Sequence, residues 1–379
     1  MSGSETREVV LVGGGHAHIH VLERALQEPL PGARLTLVVD TPIAVYSGMV
    51  PGFVAGQYRA EELEIDVVSL AEKAGARTIV SPAVRVDAGA RVIQVAESPP
   101  VPYDVVSWDI GSTVAGLDLP GVREHALPTR PIRLFVQRVG ELVERARAHD
   151  GATPFQVVVV GAGAGGVELA FTIDHRLRRD VGENIHVTLI EGGPRILSRY
   201  SNSLRRRVIR RARERGIEIR LETRVSAAEH DALVLDDGSR LPCNALVWVT
   251  GAVSHALFRD SGLATDARGF VLIRSTLQFE AHDDQFAVGD CGTLIEYPQT
   301  PKAGVYAVRE GPIIADNIYA ALAGEPLRSY KPQGDFLTLL NLGDGTAVGA
   351  KWGFSFGGRW VMRWKDHIDK KFMHHFQSL

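Results

Sequence analysis

The sequence predicts an α/β fold in which two similar units of alternating strands and helices follow each other, with a short element at the C-terminus. An apolar strand, a glycine-rich turn and an amphipathic helix occur in this order near the N-terminus, and the same order returns in the middle of the chain. Strands and helices that alternate in this way form a parallel sheet with helices on both faces. The length of 379 residues exceeds one ordinary core and accommodates both units.

The first unit lies close to the N-terminus. Residues 9–12 form an apolar run, three glycines follow at 13–15, and residues 19–26 carry apolar side chains at helical spacing. After a Pro/Gly stop at 29–32, a second apolar run ends on Asp40. The pattern predicts a strand, a tight turn, a helix and a second strand, which together form a βαβ unit.

The second unit repeats this order. A valine-rich run at 156–160 is followed by the glycine-rich segment 161–166, a helix, and a strand at 187–190 that ends on Glu191. The repeat is one of architecture, since the same elements occur twice in series. We therefore expect two Rossmann-like domains.

The first glycine-rich turn fits a dinucleotide-binding motif in part. Gly13 and Gly15 supply two glycines of the pattern G-x-G-x-x-G: the first permits a tight turn, and the second lets the backbone approach a pyrophosphate at the start of the helix that His16 opens. His18 replaces the third glycine, so we expect a wider separation of helix and strand or an imidazole turned outward. Asp40 is expected to accept hydrogen bonds from an adenosine ribose; the alternative is a plain turn residue.

The second glycine-rich turn matches the same motif in full. Gly161, Gly163 and Gly166 follow a strand and open a helix, which is the context that supports such a motif. Glu191 ends the next strand, where a carboxylate can hold both ribose hydroxyls of NADH and repel the 2′-phosphate of NADPH. NADH is therefore favoured as the nucleotide of this unit, although Arg195 could reach a phosphate if Glu191 turned away.

Composition excludes several function classes. The 42 basic and 45 acidic residues nearly cancel, which argues against nucleic acid as the main partner, and a run of arginines at 205–215 is better explained as a solvated amphipathic helix. Two cysteines form no disulfide framework, and His16 with His18 lacks a third metal ligand, so no metal site is expected. The polar start of the chain shows no leader and no apolar stretch is long enough to span a membrane, which predicts a cytoplasmic protein.

The combination of motifs resembles a known family. The strand at 105–110 with Gly111-Ser112, the Thr250-Gly251 turn and the late segment Val288-Gly289-Asp290-Cys291 look like the flavoproteins with two dinucleotide-binding domains, such as disulfide reductases, type II NADH dehydrogenases and sulfide:quinone oxidoreductases. The motif at 13–18 together with the segment 46–52 looks most like the FAD-containing NADH-dehydrogenase-like domain that is sometimes fused to selenide, water dikinase. No kinase domain is expected in this chain.

The resemblance implies cofactors and domains. The first unit would hold FAD tightly but not covalently, with Gly289 and Asp290 at the ribityl chain, and the second would receive NADH. It also implies a discontinuous FAD-binding domain at 1–120 and 252–330, an NAD(P)H-binding domain at 121–251, and a C-terminal interface or membrane-surface element at 331–379.

Departures from the family bear on the electron acceptor. Disulfide reductases need a cysteine pair soon after the first unit, and the segment 42–58 contains none. Cys243 and Cys291 are not expected to form a redox couple. The stretch 301–306 lacks the glutamine-containing quinone motif of type II dehydrogenases and looks more like that of the sulfide:quinone branch. Dithiol relay is thereby excluded, and the acceptor stays open.

Three side chains are candidates for catalysis. Lys302 begins a helix whose amides could face the negative charge that reduced flavin carries, or it is a solvated helix-start lysine. Glu168 lies one turn into the nucleotide helix, where the family often places a carboxylate near flavin and nicotinamide; the alternative is a buried structural acid. Tyr46 lines the acceptor side or belongs to the core.

The C-terminus carries a further pattern. Trp360, Trp364, Ile368 and Phe372 recur every four residues and form one helical stripe. Basic residues flank this stripe, namely Arg359, Arg363, Lys365, Lys370 and Lys371, as in a helix that lies on a membrane surface. The alternatives are packing onto the flavin domain and a homodimer interface.

The sequence thus predicts an NADH dehydrogenase that passes electrons to a quinone or other small acceptor. A slow, NADH-responsive redox sensor and a reductase of a protein or a selenium or sulfur compound remain as alternatives.

Overall fold

The structure is a computed structural model that describes residues 6–379. The first five residues of the polar start, on which the expectation of no leader rests, lie outside the described residues. The helices, in chain order, are α1 His16–Gln27, α2 Val50–Val54, α3 Val67–Lys73, α4 Val122–His125, α5 Ile132–Arg147, α6 Ala164–Asp180, α7 Asn202–Glu214, α8 Leu257–Asp260, α9 Gly304–Ala323 and α10 Arg359–Gln377.

The strands of the N-terminal part, in chain order, are β1 Arg7–Val12, β2 Ala33–Val39, β3 Ile43–Val45, β4 Glu64–Asp66, β5 Arg77–Val80, β6 Ala83–Asp87, β7 Val92–Val95, β8 Ser98–Pro102, β9 Val105–Trp108 and β10 Thr113–Val114. Those of the middle part are β11 Ala126–Pro128, β12 Phe155–Val160, β13 Ile185–Ile190, β14 Glu218–Arg220, β15 Val225–Ala228, β16 Ala232–Leu235, β17 Arg240–Pro242, β18 Ala245–Trp248 and β19 Ala252–Val253. The last strands are β20 Val271–Ile273, β21 Gln278–Phe279, β22 His282–Ala287, β23 Gly292–Leu294, β24 Thr338–Asn341, β25 Ala347–Lys351 and β26 Phe354–Gly358.

Two parallel sheets follow one plan. In the larger sheet the order β22-β9-β1-β2-β5 is parallel throughout, and β20, β21 and β23 extend it on one side. In the other sheet the order β11-β18-β12-β13-β14 is likewise parallel. Strand β1 therefore corresponds to β12, β2 to β13, β9 to β18 and β5 to β14. The predicted α/β fold with two Rossmann-like units is confirmed.

Burial explains why these segments form central strands. The strands β1 and β12 each end in four buried residues, because helices cover both faces of each sheet. Runs of valine and leucine without polar alternation are typical of such strands. The amphipathic pattern of α1 buries Ala17, Ile19, Leu22 and Ala25, as the sequence predicts.

Smaller sheets complete each unit. The antiparallel three-stranded sheets β6-β7-β8 and β15-β16-β17 occupy equivalent places in the two units, directly before β9 and β18. The short strands β10 and β19 pair with each other and join the two units. The large sheet contains strands that precede the second unit in the chain (β1, β2, β5 and β9) and strands that follow it (β20 to β23). The domain boundaries at 120, 252 and 330 stay a prediction.

The C-terminal element is a three-stranded antiparallel sheet, β24-β25-β26, followed by the long helix α10. Helix α10 packs through Val361, Met373 and Phe376, which are buried. The element is thus part of the folded body, and its outer side carries exposed aromatic residues that are described below.

Candidate functional site

The first glycine turn is built as the motif requires at its first position. Gly13 has a φ of +94°. A Cβ atom there would lie 2.2 Å from the backbone oxygen of Asp109, so only glycine fits between β1 and β9.

His18 is buried and fully hydrogen-bonded. Its Nδ1 lies 2.7 Å from the backbone oxygen of Gly13, and its Nε2 lies 2.9 Å from Oγ of Ser107 on β9. Burial lowers the pKa of His18 to about 4, so the ring is neutral at pH 7. Of the two expectations, the outward-turned imidazole is wrong; the ring points inward and bridges the helix, the turn and the neighbouring strand.

The second glycine turn is tighter at its third position. A Cβ atom on Gly166 would lie 1.7 Å from the backbone oxygen of Gly161, which leaves no room for a side chain. Because His18 does carry a Cβ atom at the equivalent position, α1 must start farther from its turn than α6 does. Above Gly163, by contrast, nothing within the described chain lies within 4 Å of an added Cβ atom, so the turn is open for a close ligand.

Glu191 lies at the mouth of this second turn. Its two carboxylate oxygens accept hydrogen bonds from the amides of Ala162 (3.0 Å) and Gly193 (2.9 Å). This holds the carboxylate beside the glycine turn, where a ribose would lie. Arg195 is exposed outside the cleft lining; Arg224, which the sequence reading did not single out, lines the cleft at Gly192.

The adenosine end of the first unit contains Asp40, exposed at the end of β2. Two residues that sequence reasoning missed lie near it. Arg133 of α5 donates a hydrogen bond to Thr41, and His255 lies within electrostatic reach of Asp40. Both come from distant segments, and no motif in the sequence marks them.

Asp290 lies in the turn that precedes β23. It accepts hydrogen bonds from Arg130 (2.6 Å) and from Oγ of Ser112 (3.2 Å). Its neighbour Gly289 has a φ of +66° and donates its amide to Glu310 of α9 at 2.6 Å. Burial raises the pKa of Glu310 to about 8. Arg130 and Glu310 were not identified from the sequence.

Lys302 is half-buried and directed inward. Its ammonium donates hydrogen bonds to the backbone oxygen of Gly292 and to Oγ1 of Thr293 (3.2 Å), and it lies 4.2 Å from the centre of the Phe270 ring. Burial lowers its pKa. The helix α9 begins at Gly304, so Lys302 stands just before it and lines the cleft. The role of Lys302 at the flavin stays a prediction.

Glu168 and Tyr46 lie near one buried ion pair, Lys365 with Asp369. Oε1 of Glu168 accepts a hydrogen bond from the amide of Asn341 at 2.8 Å, and burial raises its pKa to about 7 against the charge of Lys365. Lys365 donates to Asp369 at 2.7 Å, and Asp369 in turn accepts from the Tyr46 hydroxyl at 3.2 Å. Burial, together with Asp369, raises the pKa of Tyr46 well above its ordinary value.

His16 lies beside Tyr46. Its ring contacts Tyr46 edge-on at 5.4 Å and Phe372 at 5.9 Å. Burial lowers its pKa to about 4, while the charge of Asp290 raises it. Within residues 6–379, no polar atom lies within hydrogen-bond distance of its Nε2.

One cleft connects the two units. Its volume is about 1360 Å³. The lining runs from Gly163 and Glu191 in the second unit past Glu168 to Lys302 and the segment Val50-Pro51 of the first. A nucleotide seated on the second glycine turn can therefore reach the residues that surround the late Gly-Asp turn.

The two cysteines do not form a pair. Cys243 belongs to a core cluster of the second unit and Cys291 to the main core, and both are free. Burial raises the pKa of each thiol to about 12, which makes both poor nucleophiles.

The outer side of the C-terminal element is aromatic. Trp352 and Phe354 are 75% and 77% exposed at the hairpin between β25 and β26, and the rings of Trp360 and Trp364 stack 6.4 Å apart on α10. Phe372, which the sequence pattern assigns to the same stripe, instead stacks on Tyr46 at 4.6 Å.

Lys365 is a second correction to the predicted helix surface. It was expected among the basic residues that flank the stripe, but it is buried, because it pairs with Asp369 and donates to the backbone oxygen of Gly48 at 2.7 Å.

Within the described chain, no helix is long and apolar enough to cross a membrane, and no cluster of side chains suits a metal ion.

Fold and site together define a class. A turn at Gly13, a carboxylate at the end of β2 and the Gly289-Asp290 turn form a cradle that fits FAD, and the open turn at Gly163 fits a second dinucleotide. The protein is an FAD-containing oxidoreductase that uses a pyridine nucleotide. Residues 7–311 match the model of the family described as pyridine nucleotide-disulphide oxidoreductase, and the chain belongs to this family. The predicted family is confirmed, while the resemblance to the domain fused to selenide, water dikinase stays a prediction.

Two relatives by sequence carry the name type II NADH:quinone oxidoreductase. The chain is 23% identical over 388 residues to a type II NADH:quinone oxidoreductase of Staphylococcus epidermidis, with 97% of this chain and 95% of the relative covered. It is 26% identical over 279 residues to the enzyme of the same name from Haemophilus influenzae, and the match covers 66% of this chain and 63% of that relative.

Solved structures share the fold over nearly the full length. The sulfide:quinone oxidoreductase of Aquifex aeolicus superimposes with a TM-score of 0.82 at 18% identity, covering 98% of this chain and 92% of that one. NDH2 of Plasmodium falciparum in complex with NADH gives a TM-score of 0.80 at 12% identity, covering 98% and 99%.

Proposed function

We propose that this protein oxidises NADH and passes the electrons to a quinone that it takes from a membrane surface. The type II NADH:quinone oxidoreductases that resemble this chain support the reaction. The observation that carries the proposal is the cleft, because it joins the nucleotide turn of the second unit to Lys302 and to Arg130, which donates a hydrogen bond to Asp290.

The second unit binds and orients the donor. The open backbone at Gly163 receives the pyrophosphate at the start of α6, and Glu191 accepts the ribose hydroxyls. A carboxylate at this point disfavours the 2′-phosphate of NADPH, which makes NADH the preferred donor. Bound FAD would supply the hydride acceptor for NADH and the electron carrier toward the quinone.

Lys302 supplies a fixed positive charge on the flavin side of the cleft. Its ammonium is desolvated and donates hydrogen bonds to Gly292 and Thr293, so its position is fixed before the reaction. A charge held in place before the reaction stabilises a developing negative charge better than a mobile one. We assign it to the stabilisation of reduced flavin.

Glu168 holds a proton near the reacting groups. Quinone reduction consumes protons, and a carboxyl whose pKa is raised to about 7 can carry one at neutral pH. Lys365 lies within electrostatic reach of Glu168 and donates to Asp369, which accepts a hydrogen bond from Tyr46. We therefore assign Glu168 to proton supply and Tyr46 to the lining of the acceptor side.

The aromatic outer side of the C-terminal element is proposed to lie on an anionic membrane. Trp352, Phe354, Trp360 and Trp364 present rings that favour the headgroup zone. Exposed basic side chains accompany them on α10, namely Arg359, Arg363, Lys370 and Lys371. Cations next to tryptophans match an anionic leaflet, with about 1 kcal/mol for each.

Anaerobic reduction followed by reoxidation tests the reaction. Purified protein is reduced with NADH, and then a short-chain quinone, polysulfide, selenite and buffer alone are added. We expect rapid reoxidation by the quinone and steady turnover. A reduced complex that persists with every acceptor would identify a redox sensor instead, and reoxidation by polysulfide or selenite alone would identify a sulfur or selenium reductase.

Sedimentation with phosphatidylglycerol vesicles tests the membrane surface. The double variant Trp352→Ser/Phe354→Ser should stay in the supernatant, while Leu134→Ser, which changes a residue of α5 that is 54% exposed, should sediment like the parent protein. If the parent protein ignores the vesicles at low salt, the surface proposal fails; a dimer that the double variant abolishes would identify a second copy as the partner.

A further inference from the structure

A buried carboxylate distinguishes the two glycine turns. Asp109 directly follows β9, and Val249 directly follows the equivalent strand β18. A Cβ atom on Gly15 would lie 2.2 Å from the Asp109 carboxylate, whereas the same position on the equivalent Gly163 is open within the part of the chain described. The carboxylate therefore fills the space in the first unit that the second unit leaves free for a pyrophosphate.

Asp109 also accepts hydrogen bonds from backbone amides in the first turn of α1. Its Oδ2 accepts hydrogen bonds from the amides of Ala17 (2.9 Å) and His18 (3.2 Å). First-turn amides have no partner within their own helix, and they are the groups by which a helix N-terminus binds phosphate. In the second unit, Val249 offers no acceptor, so the first turn of α6 keeps its amides for a ligand.

We propose that Asp109 makes flavin binding proton-linked: its ionised carboxylate competes with the FAD pyrophosphate for the first turn of α1, and its protonated form admits the cofactor. Two anions at one helix terminus repel each other strongly where little water screens them. Protonation removes this repulsion and weakens the carboxyl as an acceptor. The inference concerns flavin binding alone and does not depend on which acceptor the enzyme uses.

The surroundings place this titration near neutral pH. Burial raises the pKa of Asp109 to about 7, against the hydrogen bonds from the two α1 amides and with a further contribution from Asp290. Glu310 of α9 and Cys291 also lie within electrostatic reach of the Asp109 carboxylate. The positive charge of Lys302 lowers the pKa of both groups.

The direction of the pH effect follows from these groups. The ionised form dominates above about pH 7, so FAD affinity should fall as the pH rises beyond that value. A single linked proton gives at most about a tenfold loss per pH unit. Below pH 7 the carboxyl is already protonated, and the affinity should level off.

Dilution of the FAD-loaded protein measures the effect, because released FAD fluoresces. The dissociation constant is determined from about pH 6 to about pH 9 for the parent protein and for Asp109→Asn, which keeps an acceptor oxygen without the charge. We expect a flat profile for Asp109→Asn and binding about 30-fold tighter than the parent at about pH 8.5, one and a half decades above the titration. Asp109→Val, which copies the second unit, should also be flat.

Glu310→Gln is the matched control. Glu310 is a second buried carboxyl with a raised pKa, but it contacts the Gly289 amide rather than α1. This variant changes the charge near Asp109 and the support of Gly289, so its affinity and midpoint shift, but the slope of affinity with pH should match that of the parent protein. A flat profile in the parent, an unchanged slope in Asp109→Asn, or a slope lost only in Glu310→Gln would overturn the proposal. The parent profile decides even if a variant fails to fold.

Discussion

The two dinucleotide units share one strand order yet differ at their glycine turns. The carbonyl oxygen of Gly161 excludes any side chain at Gly166, whereas the carbonyl oxygen of Gly13 accepts a hydrogen bond from the imidazole of His18. The same backbone atom thus forces a glycine in one unit and binds a histidine in the other.

The strand next to each glycine turn, β9 in the first unit and β18 in the second, also differs in its side chains. Ser107 and Asp109 on the β9 side replace Val247 and Val249 on the β18 side, and both polar residues bond to α1. The first unit is tied to its helix by side-chain hydrogen bonds, and the second is left open. The open turn of the second unit suits an exchanging nucleotide, whereas the Gly289-Asp290 turn offers the first unit a further contact that suits a resident flavin.

The largest effect is expected at the tight turn. In Gly166→Ala, the new methyl group would lie 1.7 Å from the oxygen of Gly161, so α6 must move away from the pyrophosphate site. We expect NADH to bind about 100-fold more weakly, roughly 3 kcal/mol, as measured by the KM for NADH. In the neighbouring control Gly165→Ala, the methyl group meets Val249 at 3.7 Å, an ordinary contact, and binding should be unchanged. Equal losses in the two variants would contradict this account of the turn.

The next effect concerns His18, whose ring is hydrogen-bonded to both Gly13 and Ser107. His18→Ala leaves Ser107 and the Gly13 oxygen unpaired in a buried place and creates a cavity, which should lower the free energy of unfolding by about 2–4 kcal/mol. Ser107→Ala removes one hydrogen bond and should cost about 1 kcal/mol. Denaturant unfolding measures both.

Acid supplies a check on the same bridge. The folded-state pKa of His18 is depressed, so the unfolded chain takes up its proton first, and the stability this ring contributes is lost as the pH falls from about 6.5 toward 4. His18→Ala should therefore be less sensitive to acid than the parent protein. An unchanged acid profile would show that the ring is not held neutral by the fold.

The smallest effect is expected for the two carboxylates that are assigned to the riboses, Glu191 in the second unit and Asp40 in the first. Glu191→Ala should narrow the preference for NADH over NADPH by about tenfold, since it removes both a ribose acceptor and a repulsive charge. Asp40→Ala, the equivalent change in the first unit, should weaken FAD retention and leave the nucleotide preference as it is. Ratios of kcat/KM for the two donors measure this; a shifted preference in Asp40→Ala would mean that the units are assigned in the wrong order.

The fold was predictable because its signals are local. Strand, turn and helix follow each other within each unit, and the spacing of Gly161, Gly163 and Gly166 identifies a nucleotide turn without any distant partner. Asp40 and Glu191 are expected on the same ground, since each ends the strand that follows its motif.

The contacts of the site were not predictable, because their partners are far apart in the chain. Ser107 and Asp109 reach His18 across 89 and 91 residues, and a single sequence does not pair them. Lys365 was expected on the exposed side of its helix, and only the fold brings Glu168 within electrostatic reach of it and Tyr46 against its partner Asp369.

Cofactor retention tests the central contrast most directly. The protein is saturated with FAD and NADH without oxygen, desalted, and assayed for both nucleotides. A resident flavin in the first unit and an exchanging nucleotide in the second predict about one FAD per chain and no nicotinamide, and the retained flavin should be reduced again by fresh NADH. Loss of FAD together with NADH, or retention of both, would contradict the division of roles between the two units.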